Sequence, residues 1–235
     1  MENRIREYWN NSPCNSGWGA PFKEGTLGWF KNIEDKREWA YPHIRDFARY
    51  EDWRDKKVLE IGCGVGCDTV LFAKAGAIIT AVDLSLRSVE LTLKHLWVYE
   101  LYEKVICINA EELPFDNSFD LVYSWGVIHH SPNPAKLFNE IYRVMKAGAT
   151  FKAMLYHRYS LGGLMNCFKD NESPGTKTFT YGEIRKMLRK FDKVNITPTL
   201  MAEEDIIRNS PKLPGWSLRF YPKRLSSWCL VEAIK

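Results

Sequence analysis

From about Lys57 onward, short runs of consecutive apolar residues alternate with segments whose apolar positions repeat every three or four residues. Val58, Leu59 and Ile61 form the first short run, and Cys67–Lys74 then has helical spacing. Residues 77–82 make a second run. Ser85 opens a helix that places Val89, Leu93 and Leu96 on one side. Residues 105–108 and 119–123 read as a third and a fourth strand. Pro134 suits a first helical position, and Leu137, Phe138, Ile141 and Val144 follow as a stripe with Gly148 as its stop signal. Residues 150–156 read as a fifth strand. Thr180 and Glu183 have the spacing of a capping box ahead of Ile184, Met187, Leu188 and Phe191. Residues 194–197 and 228–234 supply a sixth and a seventh strand.

This alternation predicts an α/β fold with a doubly wound, Rossmann-like, mostly parallel seven-stranded sheet and helices on both faces. The first fifty residues differ and read as a helical and loop appendage, a lid over a domain spanning 51–235. Within them, residues 4–10 suggest a short helix and 11–28 a loop rich in Gly, Pro, Asn and Ser. Residues 34–50 suggest a helix broken near Pro42. Polar, irregular stretches at 158–178 and 200–225 read as insertions that shape a pocket.

Composition removes several classes. Of 235 residues, 33 are basic and 29 acidic, giving +4, with no block of like charge. That balance argues against a large phosphate-contacting face. Residues 1–11 are polar, unlike a signal peptide, and no apolar run approaches the roughly 18 residues that span a bilayer. The six cysteines form no CxxC pair and no metal spacing, so no metal is expected. Reduced cysteines fit a cytoplasmic protein.

The densest chemical signal is Glu60-Ile61-Gly62-Cys63-Gly64-Val65-Gly66, set between a predicted strand and a predicted helix. Glycines there allow a sharp turn and close approach of a ligand to the backbone, at the sheet edge where open α/β folds bind ligands. A dinucleotide fingerprint needs glycine at its first, third and sixth positions, and the sixth position here is Cys67. The adjacent Glu60 favours a cationic ligand over pyrophosphate. Asp83 ends the second strand, where a carboxylate can accept from ribose hydroxyls. Asn109-Ala110-Glu111 follows the third strand, and Trp125 lies at the end of the fourth.

These motifs, from about 57 to 156, resemble the class I S-adenosylmethionine-dependent methyltransferases. They are similar to the small-molecule, quinone-biosynthesis-like (methyltransferase type 11) group. The resemblance implies that Glu60, Gly62, Cys63, Gly64 and Gly66 wrap the methionine portion. It implies that Asp83 holds the ribose and Leu84 packs on adenine. Asn109, Ala110 and Glu111 would meet the adenine edge, and Trp125 the methionine side. Asn109 stands where the group usually has Asp; an amide still offers a donor and an acceptor. Tyr8 and Trp9 are expected to close over the sulfonium, since aromatic faces attract cations.

Methyl transfer from a sulfonium releases a neutral thioether, so placement is the main requirement, with a base only for a protonated nucleophile. His130, His157 and His129 are the candidate bases, since histidine titrates near neutrality. Tyr156, Arg158 and Tyr159 are candidate acceptor contacts, with Lys177 and Thr178 similarly placed. The aromatic content of the appendage and insertions, including Trp18, Trp29, Phe30, Phe168, Phe179, Trp216, Phe220 and Tyr221, suggests an apolar or aromatic small-molecule acceptor. A nucleic-acid methyltransferase would carry an Asn/Asp-Pro-Pro-aromatic segment where this chain has Ser124-Trp125-Gly126-Val127. A cofactor-binding sensor or partner subunit without turnover would share the same cleft.

Overall fold

The computed structural model describes residues 1–159, 173–199 and 228–235. The expected residues Phe168, Trp216, Phe220 and Tyr221, and most of both expected insertions, lie outside them. Among the described residues there are seven strands: β1 Lys57–Ile61, β2 Ile78–Asp83, β3 Lys104–Cys107, β4 Phe119–Trp125, β5 Met145–Tyr156, β6 Lys193–Thr199 and β7 Trp228–Ile234. Their order is β3-β2-β1-β4-β5-β7-β6. Only β7 runs against its neighbours, pairing antiparallel with both β5 and β6.

The helices are α1 Glu2–Asn11, α2 Leu27–Ala40, α3 His43–Ala48, α4 Cys67–Lys74, α5 Leu86–Val98, α6 Pro134–Val144 and α7 Tyr181–Met187. Strand alternation splits the core into two layers. On β1, Leu59 and Ile61 join Val122, Phe138, Ile141, Phe151 and Ile184 on the α6 and α7 face. Val58 faces the other way, with Leu121, Tyr123, Val70, Phe72 and Leu96 under α3, α4 and α5. A third cluster seats α2 on the glycine turn and α5 through Trp29, Phe30, Ile33, Val65 and Leu91. Burying each such side chain contributes about 1.5–3 kcal/mol.

Most boundaries agree with the pattern, and the exceptions have local causes. The second helix starts at Leu27 rather than 34, because Thr26 caps it by accepting from the Trp29 amide. It stops before Pro42, as expected. The loop expected at 11–28 includes a short 3₁₀ turn at Ser16–Gly19. Gly148 is not the stop of α6: the chain passes from Val144 directly into β5. Gly148 instead takes φ +73° where the β4–β5 register shifts, an irregularity glycine accommodates. The capping box at Thr180 and Glu183 forms in both directions.

Candidate functional site

At the C-terminal ends of β1, β2 and β4 the chain encloses a cavity of about 220 Å³. The turn between β1 and α4 builds its floor. Gly62, Gly64 and Gly66 all have positive φ, at 81°, 57° and 86°. A Cβ on Gly62 would meet Val127 Cγ2 at 2.1 Å, whereas one on Gly64 would meet nothing within 4 Å. Gly62 is therefore needed for packing, while the space beside Gly64 belongs to the cavity.

Asp83 closes this turn. One carboxylate oxygen accepts from the Gly64 amide at 3.0 Å and the other from the Ser85 amide at 2.9 Å. Burial raises the Asp83 pKa against these lowering hydrogen bonds. Leu84, Ile108, Asn109, Ala110 and Glu111 continue the wall from the ends of β2 and β3. Asn109 accepts from the Glu111 amide at 2.9 Å and donates to Glu2 of α1 at 2.9 Å. The Glu111 carboxylate accepts from Ser131 Oγ at 2.6 Å and from the Asn133 amide at 2.8 Å, just before α6.

The N-terminal segment roofs the cavity. Asn10 accepts from Ser85 Oγ at 2.8 Å and from the Arg87 amide at 3.3 Å, tying the end of α1 to the start of α5. Ile5 and Trp9 enter the wall, and the Trp9 ring lies 5.1 Å from that of His130. Arg37 and Tyr41 reach the cavity from α2 and its end. Arg37 pairs with Asp68 at 2.5 Å in the interior, and Tyr50 donates to the same carboxylate at 2.5 Å. Burial opposes the Arg37 charge, but Asp68, joined by Tyr50, Cys67 and Tyr123, outweighs it and holds the guanidinium well above its ordinary range. Trp125, Met154, Tyr156 and Trp228 complete an aromatic end, with Tyr41 and Trp228 rings 5.1 Å apart.

The expected site residues thus divide. Trp9, Gly62, Gly64, Asp83, Leu84, Asn109, Ala110, Glu111, Trp125, His130 and Tyr156 come together on the cavity wall. Tyr8, Glu60, Cys63, Gly66, His129, His157, Arg158 and Tyr159 do not line it. Glu60 shares its strand face with Val58, toward α4, so it is buried and accepts from Thr69 Oγ1 at 2.5 Å. Burial and Asp68 push its pKa well up. Tyr8 packs edge-on against Trp9 at 5.0 Å. Cys63 is buried within the turn, and a Cβ on Gly66 would meet Thr92 at 3.1 Å.

The candidate bases also separate. His130 Nδ1 lies 2.8 Å from Ser173 Oγ and 3.0 Å from Thr176 Oγ1. Burial and the nearby Lys177 push its pKa down to about 3. His129 is wholly buried, stacked on Tyr156 at 3.7 Å, and burial and His130 depress it well below its usual range. His157 stacks on Tyr181 at 4.3 Å. Arg158 is exposed and turns to Glu183 at 2.9 Å and the Thr178 carbonyl at 2.8 Å. Tyr159 is 55% exposed. Lys177 Nζ donates to the carbonyls of Ser131 and Pro132.

Sequence reading missed Glu2, Ile5, Arg37, Tyr41, Met154 and Trp228 on this wall. Only Arg37 left a signal, as a charge on the apolar side of α2 beside Ile33 and Ala40.

Known proteins share this fold. Residues 59–152 match the family described as "Methyltransferase domain", and the fold is that of the class I methyltransferases. A ubiquinone biosynthesis O-methyltransferase of Coxiella burnetii is 30% identical over 113 residues, covering 44% of this chain and 48% of that protein. The chain therefore spans about half the length of the curated relative it matches. The crystal structure of the cyclase SpnF superposes with a TM-score of 0.66 at 18% identity, over 100% of this chain and 96% of that one. Geranyl diphosphate C-methyltransferase of Streptomyces coelicolor A3(2) has a TM-score of 0.66 at 15% identity, over 99% and 96%. Among the described residues no helix is long and apolar enough to cross a membrane, and no cluster of His, Cys, Asp and Glu is arranged to hold a metal.

Proposed function

We propose that this chain binds S-adenosylmethionine and transfers its methyl group to an apolar or aromatic small molecule. One observation carries the reading: the Asp83 carboxylate, anchored by the Gly64 and Ser85 amides, stands at the end of β2 beside a glycine with open space where a Cβ would be. This cradle suits a nucleoside whose hydroxyls donate to a carboxylate while its chain crosses the bare backbone of the turn. Bound S-adenosylmethionine supplies a methyl group on a positively charged sulfur.

The chain's own residues then have distinct tasks. Asp83 holds the ribose, and Leu84, Ile108 and Ala110 pack on the base. Gly62 and Gly64 leave room for the amino-acid portion. Residues 1–50 form a lid in which Ile5 and Trp9 exclude water. Trp125, Tyr156 and Trp228 present apolar faces to the acceptor. His130, held neutral, positions and desolvates the acceptor end rather than carrying a charge there.

Calorimetry on the ligand-free chain tests the proposal. Heat with S-adenosylmethionine and S-adenosylhomocysteine, and none with NAD, is the expected result; no heat with either adenosyl compound overturns it. Turnover against a panel of apolar and aromatic acceptors separates an enzyme from a binding protein without turnover. That second reading draws support from His130, whose depressed basicity makes it a weak proton acceptor.

A further inference from the structure

His95 lies in the middle of α5 and is wholly buried. Its Nδ1 is 2.8 Å from the carbonyl oxygen of Val65, and its Nε2 is 2.9 Å from Glu34 Oε1. A carbonyl oxygen only accepts, so Nδ1 carries a hydrogen. Burial works to raise the Glu34 pKa, but hydrogen bonds from His95 and Tyr99, with the charges of His95 and Lys74, hold it below its usual range. The second Glu34 oxygen accepts from the Tyr99 hydroxyl at 2.8 Å. The contact between Nε2 and Glu34 Oε1 holds one further hydrogen between the two groups.

Packing holds the ring in this bridge. Phe30 of α2 stacks on the ring at 4.1 Å and 9°. Lys74 of α4 acts on Glu34 and is itself near Lys31 of α2, while Asp35 of α2 and Cys67 of α4 act on Tyr99 beyond α5. Lys74 Nζ sits 3.2 Å above the Tyr99 ring, and Glu34 is the carboxylate in direct contact with His95.

The other end of the clamp is the glycine turn. Val65 belongs to it, and the preceding Gly64 carbonyl accepts from Thr92 Oγ1 of α5 at 3.2 Å. Two consecutive peptide planes of the turn are thereby fixed from α5, while Asp83 fixes the Gly64 amide from β2. Gly62 and Gly64 of the same turn line the cavity.

We infer that His95 is a positioning residue for the cleft, a buried ring that ties the Val65 carbonyl of the glycine turn to Glu34 on α2. The inference rests on the reading that this turn holds the adenosyl ligand. It makes affinity depend on a hydrogen-bonded bridge outside the cavity and on the packing of the N-terminal segment.

The test uses the full chain, S-adenosylhomocysteine and two conservative variants. Nitrogen-15 NMR of the histidine rings should show a hydrogen on His95 Nδ1, the atom that faces the Val65 carbonyl. Calorimetry should show affinity about tenfold weaker in His95→Gln and in Glu34→Gln, roughly the worth of one charge-assisted hydrogen bond. The double variant should lose little more than either single one, because both break the same link. A His95 ring with no hydrogen on Nδ1, or wild-type affinity in either folded variant, overturns the inference. If His95→Gln fails to fold, Glu34→Gln and the NMR readout still decide. A wild-type chain that gives no heat with S-adenosylhomocysteine defeats the functional reading itself, an outcome distinct from weakened binding in the variants.

Discussion

The Gly64 amide donates to the Asp83 carboxylate at 3.0 Å, so the turn after β1 is closed onto the end of β2. The same carboxylate accepts from the Ser85 amide at the start of α5. One side chain therefore sets the spacing of three elements around the cleft. Asp83→Ala should weaken S-adenosylhomocysteine binding by about 10- to 100-fold, since hydrogen bonds to charged groups contribute about 1.5–3 kcal/mol. Calorimetry checks this, with Asp83→Asn expected to lose less because its amide oxygen still accepts.

Gly62 and Gly64 should respond to substitution in different ways. Both have positive φ, so alanine costs each about 1–2 kcal/mol. Gly62→Ala adds a collision with Val127 and should lower the thermal midpoint further than Gly64→Ala. Gly64→Val should leave a folded protein whose affinity for the adenosyl ligand is lost, because the new side chain occupies cavity space. Thermal melts and calorimetry on the same samples separate the two behaviours.

The roof over the cavity depends on few contacts. Deleting residues 1–15 removes Ile5 and Trp9 from the wall and the Asn10 link to Ser85 and Arg87. Affinity for S-adenosylmethionine should fall, and the dissociation rate should rise, in stopped-flow measurements. Unchanged kinetics would deny α1 any role in closure. Asn10→Ala, which cuts the link and keeps the helix, should give a smaller change of the same sign.

Arg37 is buried against Asp68 and reaches the cavity. Arg37→Met leaves the Asp68 charge without its partner, and breaking such a buried pair costs about 3–5 kcal/mol. Urea unfolding should show that loss. Arg37→Met with Asp68→Asn together should recover much of it, because the uncompensated charge is gone.

His130 gives a stability profile with a defined sign. Its folded pKa, about 3, lies below the ordinary value of 6.5. The unfolded chain therefore binds a proton that the folded one refuses between those values. Stability associated with the neutral ring is present above pH 6.5 and is lost as pH falls from 6.5 toward 3, by roughly 1.4 kcal/mol per pH unit. Comparing urea unfolding of the wild type and His130→Gln from pH 7 to 4 isolates this slope from those of the carboxylates. Parallel pH profiles in the two proteins would contradict a buried neutral imidazole.

Much of this molecule is written in local patterns. Strand-length apolar runs, the Ser85 and Thr180 caps and the glycines between β1 and α4 each act over a few residues, through backbone angles and neighbouring hydrogen bonds. Asp83 was legible because a strand's end is a position in the sequence as well as in space. The parity of β1 even held the orientation of Glu60: it alternates with Leu59 and Ile61 and shares the face of Val58, away from the cavity. What packing alone decided is which distant segments meet. His129 and His130 are adjacent, yet only the second lines the cavity. Glu2, Arg37, Tyr41 and Trp228 come from opposite ends of the chain to one cleft, and His95 links Glu34 to Val65. Burial, charge and proton affinity at such points follow from neighbours brought together by the close-packed core, so they are properties of the tertiary arrangement and not of sequence spacing.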